Sequence, residues 1–145
     1  MIRNDREYKI AAERLEEERE RLKQQEAELA SRGIEAAGIK NLMDPLKSFY
    51  LQLQEEVESY ERLKRGQFEE LENLRGLGHL LVSLRIAQDM TQKDLADKLG
   101  VDPTQISRDE RNDYHGISID RAVKVLDALG VQLKTQVKIA PKTIA

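Results

Sequence analysis

Four polar residues near position 105 have the side chains that proteins use to contact DNA. They follow Asp102-Pro103, which predicts a helix start because Asp caps free backbone amides and Pro suits the first turn. At about 100° per residue, one face of that helix carries Thr104, Gln105, Arg108 and Arg111. In the major groove Arg pairs with guanine and Gln with adenine. The spacing therefore predicts a DNA-reading face.

The opposite face of the same helix is predicted to point inward. With Thr104 as the origin, Ile106 lies at about 200° and Glu110 at about 240°. A buried carboxylate is costly unless a cation meets it. Arg85, on an earlier helix, is the candidate partner. The sequence thus predicts an internal Arg85–Glu110 pair beneath the contact face.

The elements around this helix are predicted to be short, closely connected helices. Thr91 is a good N-cap for the helix before it, and Gly100 supplies that helix's C-terminal turn. Because only Gly100-Val101 separates the two helices, they must cross at a steep angle. This arrangement is typical of a helix-turn-helix.

Residues 77–130 carry a series of short motifs that are fairly specific in combination. They are Leu84-Arg85, Met90-Thr91-Gln92, Leu95-Ala96, Leu99-Gly100-Val101, Gln105-Ile106-Ser107-Arg108 and Glu110-Arg111. Through them the segment resembles the XRE, or lambda-repressor-like, helix-turn-helix regulators. The resemblance implies that Gln92 contacts a backbone phosphate and that Thr104, Gln105 and Arg108 face the major groove. It also implies the internal pair of Arg85 with Glu110. The candidate DNA-binding residues are Gln92, Thr104, Gln105, Ser107, Arg108, Arg111 and Tyr114, and the structural pair is Arg85 with Glu110.

Two positions depart from the pattern of that family. Asp109 stands where the family usually has an apolar residue, and Asn112 stands where it usually has glycine. An anion at position 109 would repel phosphate, so it either pairs internally with Arg111 or Arg121 or accepts from a cytosine amino group. We favour the internal pairing.

The loop of residues 112–116 is longer than is usual in the family. It could place Tyr114 and His115 against a phosphate. The alternative is an ordinary surface loop, which we favour for His115.

The front half begins with a long predicted helix. Residues 4–31 contain neither Pro nor Gly and are rich in strong helix formers. Leu15, Leu22 and Leu29 are spaced by seven, which forms half of a coiled-coil seam. Such a stripe packs either on a neighbouring helix or on a partner.

A second helix is predicted to begin at Asp44-Pro45 and to end at Arg65-Gly66. Its apolar residues follow steps of three and four, which defines one buried stripe. Two such helices can form an antiparallel hairpin in which each covers the other's stripe. Residues 1–75 are therefore predicted to be a helical hairpin that serves interaction.

The last segment alternates apolar and polar residues from Val131 to Ile139, which predicts a half-buried strand. A solitary strand leaves its backbone groups unpaired. We therefore expect it to pair with the same strand of a second chain, giving a homodimer through residues 131–139, or else to join another protein's sheet. The predicted fold is mainly α, with a hairpin (1–75), a helix-turn-helix domain (76–130) and a C-terminal strand and tail for dimerisation (131–145).

Composition excludes several classes of function. The 145 residues include no Cys and two His, so a Cys- or His-based metal or catalytic centre, and an enzyme generally, are not expected. The sequence contains no Gly-rich phosphate-binding loop, so we expect no cofactor. No apolar run approaches a membrane span, and we expect a soluble cytoplasmic protein. Residues 1–77 hold 14 basic and 18 acidic residues, net −4, whereas residues 78–145 hold 10 and 9, net +1.

These observations predict a dimeric regulator that binds double-stranded operator DNA. XRE-type proteins with an additional protein-binding segment resemble HigA-like antitoxins, which neutralise a toxin and repress their own operon. The acidic front half (1–75) would then dock on a basic toxin. The alternatives are a stand-alone repressor whose hairpin only dimerises it and a structural adaptor with a vestigial DNA-binding motif.

Overall fold

The computed structural model describes residues 1–141, and within that range it contains six α-helices and no β-strand. The helices are α1 (Asp5–Ser31), α2 (Ala36–Lys64), α3 (Leu77–Ala87), α4 (Gln92–Leu99), α5 (Pro103–Arg111) and α6 (Ile119–Leu129). They divide into two compact units. One comprises Met1–Glu72 with Ile86–Asp89, and the other comprises Asn73–Arg85 with the residues from Met90 on.

The predicted C-terminal strand is wrong. Residues 131–141 have no regular secondary structure, and the apolar side chains of Val137 and Ile139 are almost fully exposed. Alternation predicts which side chains share a face, but a strand also needs a neighbour for its backbone hydrogen bonds. No strand within residues 1–141 supplies one. Residues 142–145 of the predicted tail lie outside the described residues.

In the first unit, α1 and α2 pack together as an antiparallel hairpin. Leu22 of α1 is buried together with Met43, Val57 and Tyr60 of α2. Near the open end, Tyr8 stacks on Tyr60 with ring centroids 5.0 Å apart. The Tyr60 hydroxyl donates to Asp5 Oδ1 at 2.5 Å, so the two helices are joined by apolar and polar contacts together.

The second helix begins at Ala36 rather than at the predicted Asp44-Pro45, and Pro45 lies inside it. A proline at an interior position removes one backbone hydrogen bond and strains the preceding turn. Met43 is nonetheless fully buried and Ile39 is half-buried, so the apolar face of α2 continues upstream of the proline. Packing on α1 sustains the helix across a local stop signal.

The second unit has a small helical core. Each of its helices contributes at least one fully buried apolar residue, and these are Leu81, Val82, Leu95, Ala96, Ile106 and Val125. The close approach of α3 to the loop after α5 depends on Gly78, because a Cβ there would lie 1.8 Å from the carbonyl oxygen of Asp113. None of the helices within residues 1–141 is long and apolar enough to cross a membrane.

Candidate nucleic-acid interface

Both ends of α4 have the capping residues that the sequence predicted. Thr91 caps α4 by accepting from the Asp94 amide at 3.0 Å, and Asp94 accepts in return from the Thr91 amide at 2.9 Å. These bonds hold the pKa of Asp94 below its usual value, the backbone bond from Thr91 contributing most. At the other end Gly100 adopts the left-handed conformation, with φ 66°, which lets the chain leave the helix at once.

The start of α5 follows directly from this turn. Asp102 Oδ1 accepts from the Thr104 amide at 2.8 Å and from the Thr104 hydroxyl at 2.6 Å, and Pro103 occupies the first turn. These bonds lower the pKa of Asp102, chiefly through the Thr104 hydroxyl. The hydroxyl proton of Thr104 is therefore directed at the cap of its own helix, a contact that residue spacing did not predict. A hydroxyl two residues after an acidic N-cap was the available signal.

The two faces of α5 are arranged as predicted. Ile106 and Glu110 are fully buried. The opposite face exposes Thr104, Gln105, Arg108 and Arg111, and Ser107 is half-buried beside them. The exposed side thus offers two guanidinium groups and one amide above an anchored inner side.

The predicted ion pair beneath this face is confirmed. Arg85 Nε donates to Glu110 Oε2 at 2.6 Å, and Arg85 Nη2 donates to Glu110 Oε1 at 2.7 Å. The third nitrogen, Nη1, donates to the Met90 carbonyl at 2.7 Å, just before α4 begins. A paired guanidinium and carboxylate in this fork geometry satisfy most of each other's hydrogen-bonding capacity. One buried cation therefore ties α3, α5 and the start of α4 together.

Gln92 lies at the first position of α4 and is half-buried. Its Nε2 donates to Glu110 Oε1 at 3.1 Å, so the buried carboxylate also orients this amide. The predicted phosphate contact of Gln92 remains a prediction. The bond to Glu110 was missed because residue spacing alone does not show that position 92 reaches the third helix of the unit.

The position of Asp109 is resolved in favour of an internal pair. Its carboxylate accepts from Arg121 Nη2, which links α5 to α6. Of the three alternatives, the structure therefore shows the pairing with Arg121. The bond raises the pKa of Arg121. Asp109 is therefore neutralised within the domain. Its negative charge does not offset the positive charges of Arg108 and Arg111 on the exposed face.

Tyr114 has a different place from the one expected. Only 3 % of its surface is exposed, and its hydroxyl is buried without a hydrogen-bond partner among residues 1–141. Burial raises the pKa of this phenol above its ordinary value. Asp113 and Tyr114 both have positive φ, 49° and 51°, which turns the ring inward. In this arrangement Tyr114 is a core residue and does not reach a phosphate, whereas His115 is exposed on the loop.

No three His, Asp or Glu side chains within residues 1–141 are grouped so that they could hold a metal ion.

Comparison with known proteins agrees with this geometry. Residues 81–135 match a protein-family model, HTH_3, described as a helix-turn-helix. Neither a curated protein nor a solved structure matches the chain. The matched range covers α4 and α5, the turn between them and all of α6. The second unit therefore carries a helix-turn-helix domain, which supports a DNA-binding transcription regulator.

Proposed function

We propose that this protein is a sequence-specific transcriptional repressor that binds its operator as a homodimer and is also the antitoxin of a toxin–antitoxin pair. The observation that carries the DNA-binding part is α5, whose exposed face presents Gln105, Arg108 and Arg111 while Ile106 and Glu110 are fully buried. A short helix anchored on one side and rich in Arg and Gln on the other fits the major groove.

Four residues have distinct roles in this proposal. Arg108 reads guanine by two parallel hydrogen bonds, and Gln105 reads adenine. Arg111 and Gln92 contact phosphate and set the register of the helix on the duplex. The amide of Gln92 is already oriented by Glu110, so its position depends on the same buried carboxylate that anchors α5.

The charge of the domain limits how much affinity phosphate contacts can supply. Residues 78–145 have a net charge of +1, so attraction to DNA comes from local clusters and not from the whole surface. We therefore expect few phosphate contacts and a shallow dependence of the binding constant on salt. Discrimination between sequences then depends mainly on Gln105 and Arg108.

The test of this reading compares Arg108→Ala with Arg108→Lys on the chain's own promoter DNA and on a scrambled duplex at ~0.1 M salt. Alanine should weaken binding by about 1–3 kcal/mol and relax discrimination between the duplexes. Lysine retains the charge but not the bidentate pair, so it should lose discrimination while binding the scrambled duplex as before. Equal affinity of the unmodified protein for both duplexes would leave the structural adaptor as the better interpretation.

A homodimer follows from the way such domains read DNA. Two recognition helices related by a two-fold axis contact half-sites about one helical turn apart. The protein should therefore protect an inverted repeat in the promoter, with the two half-sites about 10 base pairs apart from centre to centre. Footprinting that shows a single unrepeated half-site would contradict the dimer.

The antitoxin role rests on the hairpin. Residues 1–77 have a net charge of −4, and Glu13, Glu17 and Glu20 are exposed on the side of α1 opposite its buried leucine. Such a face suits a basic partner, and RNA-cleaving toxins have basic surfaces. Co-purification with the product of the adjacent gene tests this role. The triple variant Glu13→Gln, Glu17→Gln, Glu20→Gln should weaken that complex and leave operator binding unchanged.

The stand-alone repressor is the second candidate, and one observation favours it. The exposed side chains of Leu42, Leu46 and Phe49 form a row on α2. Such a surface is suited to self-association. If the adjacent gene encodes no small basic protein, this candidate replaces the antitoxin.

A further inference from the structure

The row on α2 consists of Leu42, Leu46, Phe49 and Leu53. The first three are 55 %, 45 % and 46 % exposed, and Leu53 is half-buried. Their spacing of four, three and four places all of them within about 60° of one another on the helix. From Gly38 to Leu53 no charged residue of α2 lies on this side, although charged residues make up 35 % of the chain. An uncharged exposed row on such a helix indicates a contact surface.

The row borders the face that α1 covers, and its line continues into Tyr60, which is buried against Tyr8 of α1. Met43 and Val57, both buried in the hairpin, lie about 90° and about 50° around the helix from the centre of the row. A helix in a four-helix bundle contacts two neighbours on adjacent faces. In residues 1–72, α2 has α1 on one of these faces and no helix on the other.

We propose that a second copy of this chain covers the row, with α2 packed antiparallel on α2 so that two hairpins form a four-helix bundle. The spacing of four, three and four is the same in both chain directions. A two-fold axis between positions 47 and 48 therefore sets Leu42 opposite Leu53 of the copy and Leu46 opposite Phe49 of the copy.

The charges beside the row also fit a second copy. The Arg14 guanidinium lies over the Phe49 ring at 5.0 Å, which places that side of α1 next to the row. Glu18 and Arg21 follow on the same side and are 3.7 Å apart. Arg14, Glu18 and Arg21 give this side of α1 charges of both signs, so it does not repel a second copy as a surface of one sign would. The side of α1 with Glu13, Glu17 and Glu20 would instead repel its copy.

The end of the row is compatible with the same arrangement. Glu56 is the first charged residue to fall on this side of α2. Under the two-fold axis it lies opposite Ile39 of the copy and not opposite its own equivalent. No like charges therefore meet in the contact. This surface supplies the dimer contact that the absent C-terminal strand was predicted to make.

The first experiment measures the mass of the full chain by light scattering and sedimentation over ~1–200 µM. We expect a dimer, and we expect Leu46→Glu to raise its dissociation constant by about 30-fold or more. The matched control is Leu51→Glu, because Leu51 is 58 % exposed on the same helix but lies about 180° from the row. A monomer at all concentrations, or equal dimerisation of the two variants, would overturn the proposal.

The second experiment reads the direction of pairing and does not depend on a destabilising charge. The chain has no Cys, so single cysteines report one position each. Leu46→Cys mixed with Phe49→Cys under mild oxidation should form the mixed 46–49 disulfide in preference to 46–46 and 49–49. A preference for the like pairs would indicate parallel helices and contradict the proposal. Since Arg108→Ala should not alter the dimer, failure of the DNA-binding proposal is distinguishable from failure of this one.

Discussion

The two units of this protein handle polar groups in opposite ways. In the helix-turn-helix unit the central polar contact is buried, since Arg85 is 5 % and Glu110 0 % exposed. In the hairpin the ion pairs lie at the surface, as between Arg62 and Glu55 or Lys47 and Glu26. Exposed pairs of this kind contribute little to stability, whereas a buried pair is costly to break. The helices of one unit are therefore oriented by a buried ion pair, and those of the other by apolar packing together with hydrogen bonds from two tyrosines to carboxylates.

The largest expected effect comes from Glu110→Ala, which leaves the Arg85 cation buried without its carboxylate. We expect the helix-turn-helix unit to lose about 3–5 kcal/mol of its free energy of unfolding. Glu55→Ala, which removes an exposed pair in the hairpin, should have a much smaller effect on stability. Urea unfolding followed by circular dichroism measures both.

A double variant separates loss of the pair from loss of packing at the same site. Replacing both partners with apolar residues, Arg85→Met with Glu110→Leu, should be less destabilising than Glu110→Ala alone. If the double variant is the less stable one, the cost of the single change does not come from an unpaired charge.

The next effect compares the same substitution in each unit. Gly78→Ala should destabilise the helix-turn-helix unit by about 1–3 kcal/mol, because its Cβ would meet the Asp113 carbonyl carbon and oxygen, which are backbone atoms. Gly38→Ala lies in α2, where its nearest neighbour is the Ile34 Cγ2 methyl group at 3.0 Å. That side chain can rotate, and alanine favours a helix by about 1 kcal/mol over glycine. We expect thermal unfolding to shift down for Gly78→Ala and to stay level or rise for Gly38→Ala.

A smaller pair of effects of opposite sign comes from two buried tyrosines. Tyr114→Phe removes a hydroxyl that has no partner among residues 1–141 and should stabilise the protein by about 1 kcal/mol. Tyr60→Phe removes the bond to Asp5 in the hairpin and should destabilise by about 0.5–1.5 kcal/mol. Chemical denaturation distinguishes the signs. A destabilising Tyr114→Phe would show that this hydroxyl has a favourable contact.

The smallest expected effect is a loss of stability at low pH. Salt should change this loss differently in the two units. The pKa of Asp94 is lowered chiefly by the Thr91 amide, and the pKa of Glu55 is lowered chiefly by Arg62. Lowered values mean that these carboxylates stabilise the folded state above their ordinary pKa. That contribution is lost as the pH falls below about 4. High salt should weaken the Glu55 contribution more than that of Asp94, whose partner is a backbone amide.

Asp94→Asn tests the acid limb directly. The substitution should flatten the loss of stability below about pH 4, measured as melting temperature against pH. Asp97→Asn, an exposed carboxylate on the same helix, is the matched control and should leave the profile as it was. Identical profiles for the two variants would contradict the capping role of Asp94.

Local signals predicted the helix-turn-helix unit well. Asp102-Pro103 and Thr91 do start α5 and α4, and rotation about α5 correctly assigned Ile106 and Glu110 to the interior. The same kind of signal failed at Asp44-Pro45, where α2 continues through the proline. The difference is physical. A cap decides a helix end only where packing does not favour extending the helix.

What the sequence alone determined is therefore whatever depends on neighbours within about four residues: the caps, the turn at Gly100, and the two faces of α5. Only the tertiary structure decided that Asp109 pairs with Arg121 and that Tyr114 turns inward. It also decided that residues 131–141 form no strand. These outcomes depend on groups far apart along the chain, and periodicity carries no information about which distant group is present to bind.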